Sequence, residues 1–163
     1  MNYELYMGEA LAEARLAAQR GERPVAAVAV IDDAMVARAH DQLAEAADPT
    51  AHAVMVALRE TSRKLGTLDL SAVTIFTTCE PCSMCVGAML ESQVQRLVYA
   101  VADGRSGAAG TVVQLARSGD LDRQLEVVSG IRAAEALELV RDEPWFTPMR
   151  TGFAARNGVA ARS

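Results

Sequence analysis

His52, Cys82 and Cys85 are the residues of this chain whose types and spacing best suit a metal. His52 lies in Asp48-Pro49-Thr50-Ala51-His52-Ala53-Val54, and thirty residues later Glu80-Pro81-Cys82-Ser83-Met84-Cys85 supplies two thiols. One imidazole and two thiolates are ligands that zinc accepts. Three protein ligands leave the fourth tetrahedral position open, as a catalytic site requires. Cys79 precedes Cys82 by three residues. A fourth thiolate would close the site, so Cys79 reads as a small buried thiol. His40, the other histidine, reads as a structural residue at a strand end.

The surrounding pattern must bring these ligands together. Tyr3, Met7, Ala10, Leu11, Ala14 and Ala18 recur at helical spacing with charged residues between them, and Gly21 stops that helix. Val25 to Ile31 is a continuous apolar run, a strand buried on both faces; Asp32-Asp33 is a turn, and Val36 to His40 returns as a second strand. Asp48-Pro49-Thr50 starts a helix that runs to about Leu65, with Gly66 ending it and His52 in its first turn. Ala72 to Thr78 is rich in β-branched and aromatic residues and reads as a strand. A helix follows from Cys82 to about Ser92, with both cysteines at its N-terminus, where the helix dipole favours thiolate. Further on come a strand at Arg96 to Val101, a glycine-rich loop at 103–111 and a short helix at Val112 to Arg117. A strand at Leu125 to Val128 and a helix at Arg132 to Arg141 complete the unit. Strands alternating with helices predict an α/β fold with helices on both faces of one sheet.

The length of 163 residues suits one domain, expected over residues 1–152, with a poorly ordered tail at 153–163. The formal charge is −5 and Lys64 is the sole lysine. That balance disfavours a polyanion partner, since phosphate contacts need Lys and Arg. No apolar run reaches membrane-spanning length and the acidic start lacks a signal peptide's pattern, so a cytoplasmic protein without a membrane partner is expected. Cys-x-x-Cys without a disulfide framework fits a reducing compartment.

The segments Asp-Pro-Thr-Ala-His-Ala at 48–53, Glu-Pro-Cys-Ser-Met-Cys-Val-Gly-Ala-Met at 80–89 and Gly-Ala-Ala-Gly at 107–110 resemble the cytidine deaminase superfamily. They look most like its bacterial tRNA adenosine deaminase and small-base deaminase branches. The resemblance implies a three-layer α/β/α sandwich around a five-stranded mixed sheet. It implies Zn2+ held by His52, Cys82 and Cys85, and a hydrolase that deaminates an amino-substituted nitrogen heterocycle by way of zinc-activated hydroxide. A small-molecule ligand and a homodimer are expected, with tRNA the less favoured partner.

Val54 stands where the family carries its general acid/base Glu and can neither take nor give a proton. That group's chemistry is typically worth about 10²–10⁴-fold. Three readings of Val54 stay open. One is a silent or binding subunit, similar to the non-catalytic partner of the eukaryotic tRNA adenosine deaminase. The others are an engineered knock-out and an enzyme with rewired proton transfer. Asp41, Glu80 and Asp103 are candidate substitutes, Glu80 being equally suited to orienting backbone. Asp41 falls where these deaminases carry an Asn. An ionised Asp only accepts, so the site would favour a ligand rich in N–H groups. Ala53 and Asp103 are further candidate substrate contacts. Trp145-Phe146 is similar to the aromatic lid of fungal cytosine deaminase, although Thr147-Pro148-Met149 departs from its continuation.

Overall fold

The computed structural model describes residues 1–149. The domain end expected at residue 152 and the tail expected at 153–163 lie outside them. In chain order the elements are α1 (Tyr3–Gln19), β1 (Ala26–Ile31), β2 (Ala34–His40), α2 (Ala53–Leu65), β3 (Thr74–Cys79), α3 (Ser83–Glu91), β4 (Arg96–Val101), β5 (Glu126–Ser129) and α4 (Ala133–Val140). Among the described residues no helix is long and apolar enough to cross a membrane.

The five strands form one mixed sheet in the order β2-β1-β3-β4-β5. The pairs β1–β2 and β1–β3 are antiparallel, whereas β3–β4 and β4–β5 are parallel. Asp32 and Asp33 join β1 to β2 with φ of 47° and 59°. Left-handed backbone at both positions matches the twist of a two-residue hairpin, and aspartate tolerates it better than most residues.

Because side chains alternate along a strand, each central strand feeds two cores. Val28, Val30, Phe76, Val98 and Ala100 pack with Tyr6, Met7, Ala10 and Leu11 of α1 and Ala136 of α4. Ala27, Ala29, Ile75, Leu97 and Tyr99 face the other way, into a core shared with α2 and α3. The result is the three-layer α/β/α sandwich. On the α2 side the buried residues of the first two strands are the small Ala27, Ala29, Ala37 and Ala39, with the partly buried Ile31 and Val36 packed against the same core.

Two local expectations are corrected. Asp48-Pro49-Thr50 does not begin α2. Asp48 Oδ1 instead accepts from the Thr50 amide at 2.8 Å and its hydroxyl at 2.7 Å, a self-contained turn that delays the helix to Ala53. Residues 112–117 form no helix. The Val112 amide donates to Gly107 O at 2.9 Å and the Leu115 amide to Ala108 O at 3.0 Å, folding the segment back on the glycine-rich loop.

That loop is organised by Glu80. Its buried carboxylate accepts from the amides of Asp103 (3.0 Å), Ala109 (3.0 Å) and Thr111 (3.1 Å). A Cβ added at Gly107 would collide with the Glu80 carboxylate and lie 2.6 Å from the Asp103 carbonyl oxygen. By contrast, a Cβ at Gly87 in α3 meets nothing within 4 Å. Gly107→Ala should therefore lower stability by about 1–3 kcal/mol through overpacking. Gly87→Ala should raise it by about 0.5–1 kcal/mol by removing backbone freedom from the unfolded chain. Urea unfolding midpoints of the two variants check this, and equal midpoints would refute the seating of Glu80 against the loop.

Candidate metal centre and ligand cleft

Two helix N-termini meet beside the C-terminal end of β3 and the start of β1. His52 is the N-cap of α2, with φ −65° and ψ 150°, and Cys82 is the N-cap of α3, with φ −74° and ψ 175°. An N-cap side chain ordinarily accepts from the amides of its own helix. Neither does so here. Both are turned toward Cys85, one turn into α3. His52 Nδ1 lies 3.6 Å from Cys82 Sγ and 3.6 Å from Cys85 Sγ.

The three ligand atoms lie within 4.8 Å of one another. Tetrahedral bonds of ordinary Zn–N and Zn–S length would place a nitrogen and a sulfur roughly 3.6 Å apart. The trio therefore fits zinc in donor type and in spacing. Cys82 is held down to about 4, first by the hydrogen bond from Cys85 and then by His52, while Cys85 is pushed up as the holder of the shared proton. Thiolate character at Cys82 suits a metal ligand. Cys79 lies outside the trio, and burial raises its thiol well above the usual range.

The trio opens into a cleft of about 480 Å³, its mouth to solvent included. Asp41, at the end of β2, lines it and is 2% exposed. Its Oδ1 accepts from the Ala53 amide at 2.7 Å, so this carboxylate satisfies the first amide of α2. Burial raises Asp41 to about 6, opposed first by the Ala53 amide and then by the positive charges of His52 and Arg23. Ala53 and Val54 are nine-tenths buried or more and also line the cleft.

The other expected site residues divide by what holds them. Glu80 and Asp103 border the cleft, yet both carboxylates are engaged. Glu80 is tied to the three loop amides, and Asp103 accepts from the Arg105 amide at 2.9 Å and the Ser106 hydroxyl at 2.8 Å. Trp145 forms part of the wall. Phe146 packs beneath it against Cys79 and Val140, 5% exposed, and is not a lining residue. The rings of the pair meet edge to face, with centroids 6.2 Å apart. Away from the cleft, His40 Nδ1 is 2.8 Å from Glu13 Oε1, a structural pairing between β2 and α1.

Sequence reasoning passed over Arg23, Thr77 and Ser106, all of which line the cleft. Arg23 lies just ahead of β1, outside any motif. Its guanidinium carbon stands 5.1 Å from the Trp145 ring centroid. Only the return of residue 145 to the start of β1 makes the pair visible.

With this centre, the chain belongs to the family of the cytidine and deoxycytidylate deaminase zinc-binding region, whose pattern matches residues 1–101. It is 40% identical over 132 residues to the tRNA-specific adenosine deaminase of Bacillus subtilis (strain 168), covering 81% of this chain and 82% of that one. A structure from studies of A-to-I editing by tRNA:A34 deaminases superposes with a TM-score of 0.80 at 33% identity, covering 83% and 98% of the two chains. The guanine deaminase of Nitrosomonas europaea superposes with a TM-score of 0.71 at 29% identity, covering 85% and 82%.

The purified chain should carry about one zinc per molecule, and Cys85→Ser should reduce this to a small fraction. Stripping zinc with a chelator should lower the thermal midpoint, because a ligand that binds only the folded state stabilises it. Elemental analysis and thermal melts check both. Full zinc retention in Cys85→Ser would exclude this trio as the binding site.

Proposed function

We propose that the cleft takes an amino-substituted nitrogen heterocycle (a nucleobase, nucleoside or analogue) over a zinc ion held by His52, Cys82 and Cys85. In this reading Val54 cripples or reroutes hydrolytic deamination there. The observation that supports it most is the opening of the ligand trio into a cleft bordered by Asp41, Val54 and Trp145. Zinc, when bound, lowers the pKa of a water ligand to about 7 and so offers hydroxide chemistry at neutral pH.

The chain's own residues then define what is missing. Val54 has no atom that can carry a proton between nucleophile and ring. Glu80 and Asp103 have their oxygens committed to the loop. Asp41 is different. Its Oδ1 holds α2, while Oδ2 makes no hydrogen bond among the described residues. That oxygen is free to accept an N–H of the ligand, and it is the carboxylate best placed to handle a proton. A homodimer in the cytoplasm completes the proposal.

A second reading, from a different class, is a silent subunit of a tRNA adenosine deaminase type complex. It rests on Val54 together with relatives named as tRNA-specific adenosine deaminases.

Val54→Glu separates the readings. Ammonia release from cytosine, guanine, adenosine and amino-triazines should rise about 10²–10⁴-fold in the zinc-loaded variant if one residue silences an intact site. Native turnover with no gain in the variant would mean a rewired enzyme. Silence from both, with tRNA or a second deaminase chain co-purifying, would favour the subunit. Asp41→Asn retains an oxygen for the Ala53 amide but turns the second acceptor into a donor. It should shift preference from diamino toward oxo heterocycles by about tenfold, the scale of one good hydrogen bond. Unchanged relative affinities across such pairs, measured by titration calorimetry, would remove Asp41 from ligand recognition.

A further inference from the structure

Arg23 is the basic side chain in the cleft other than the ligand His52. It is half-buried and forms no hydrogen bond or ion pair through its side chain with any described residue; its contact is the face of Trp145, at 5.1 Å. A guanidinium offers five N–H donors in a planar fork suited to carboxylate and phosphate. A cation held over an indole face is attracted by the ring and keeps its N–H donors available. The indole Nε1–H of Trp145 is likewise buried and has no partner among the described residues. The wall of the cleft therefore carries uncommitted donors on Arg23.

The acids nearby do not consume them. Glu22 accepts from the amides of Ala44 (3.3 Å) and Glu45 (2.6 Å). Glu80 and Asp103 serve the glycine-rich loop, and Asp41 gives one oxygen to Ala53. A neutral base offers the Arg23 fork only single, uncharged acceptors, whereas a carboxylate or phosphate matches two of its donors at once.

From this we infer that the ligand of the cleft is a heterocycle carrying an anionic acceptor, a ring carboxylate or a phosphate, received by Arg23 on the Trp145 platform. The inference rests on the heterocycle reading of the same site and sharpens it. Asp41 gives the cleft an acceptor and Arg23 gives it donors, so a molecule that carries both N–H groups and a negative charge satisfies both.

The test uses the full zinc-loaded chain and two matched ligand pairs. One is 2-aminopyrimidine with 2-aminopyrimidine-5-carboxylate; the other is cytidine with cytidine 5′-monophosphate. Titration calorimetry gives the affinity ratio within each pair. The expected result is a preference of about tenfold or more for the anion in at least one pair, the scale of hydrogen bonds to a charged group. A preference confined to the first pair puts the charge on the ring, and one confined to the second puts it on a nucleotide's phosphate. Arg23→Gln should bring the ratio close to one, whereas the exposed Arg63→Gln should leave it intact. Zinc content and the melting midpoint of Arg23→Gln confirm that its fold is kept. Equal binding within both pairs, or a ratio untouched in folded Arg23→Gln, overturns the anion inference and reduces Arg23 to a support for Trp145. If none of the four ligands binds the native chain or Val54→Glu, the heterocycle reading itself fails, and this inference fails with it.

Discussion

The structure depends on two helices whose first residues have given up capping. An N-terminus leaves several amides without partners, and the residue in front of it normally accepts from one of them. At α2 and α3 that residue belongs to the candidate ligand trio and makes no capping hydrogen bond, and at α2 another side chain takes over. Asp41 reaches from the end of β2 to the first amide of α2. In this way the hairpin is attached to the helix that carries His52, and the end of β2 becomes part of the centre.

A similar economy runs through the glycine-rich loop. Glu80 sits between the strand that ends at Cys79 and the helix that begins with the thiolates, and it collects amides from positions 103, 109 and 111. Burial raises its carboxyl, and those hydrogen bonds oppose the rise. The same loop holds the segment behind Trp145, through the Gly104 amide to Thr147 O at 2.7 Å and Arg105 Nη1 to Pro144 O at 2.9 Å. The aromatic wall of the cleft is thus connected to the helix that bears both cysteines by way of one acidic side chain.

The legible parts of the molecule were those in which local chemistry and global position agree. Cys82 and Cys85 are one turn apart, and His52 shares a short motif with Pro49, so their meeting could be expected from spacing. The sheet was readable from the apolar runs at 25–31 and 72–78, because both faces of those strands are buried. The helix expected at 112–117 failed because apolar periodicity in so short a stretch says little once the loop's own carbonyls claim its amides. Arg23 had no local signature at all. Its partner is Trp145, a long-range neighbour brought back by the last turn of chain after α4. The separate fates of Trp145 and Phe146, one on the wall and one in the interior, also follow from tertiary packing rather than from residue type.

The alanines on the inner side of β1 and β2 have a consequence for the centre's history. Ala27, Ala29, Ala37 and Ala39 act as a thin shim between the sheet and α2, and their volume sets how far that helix stands off. Cores are close-packed, so a thicker shim would lift the whole helix rather than be absorbed locally. His52 would rise with it, while the cysteines, carried by a different helix, would stay where they are. The alignment of the ligand trio is therefore a matter of thickness on the far side of α2, and substitutions that never touch the metal could put it out of true.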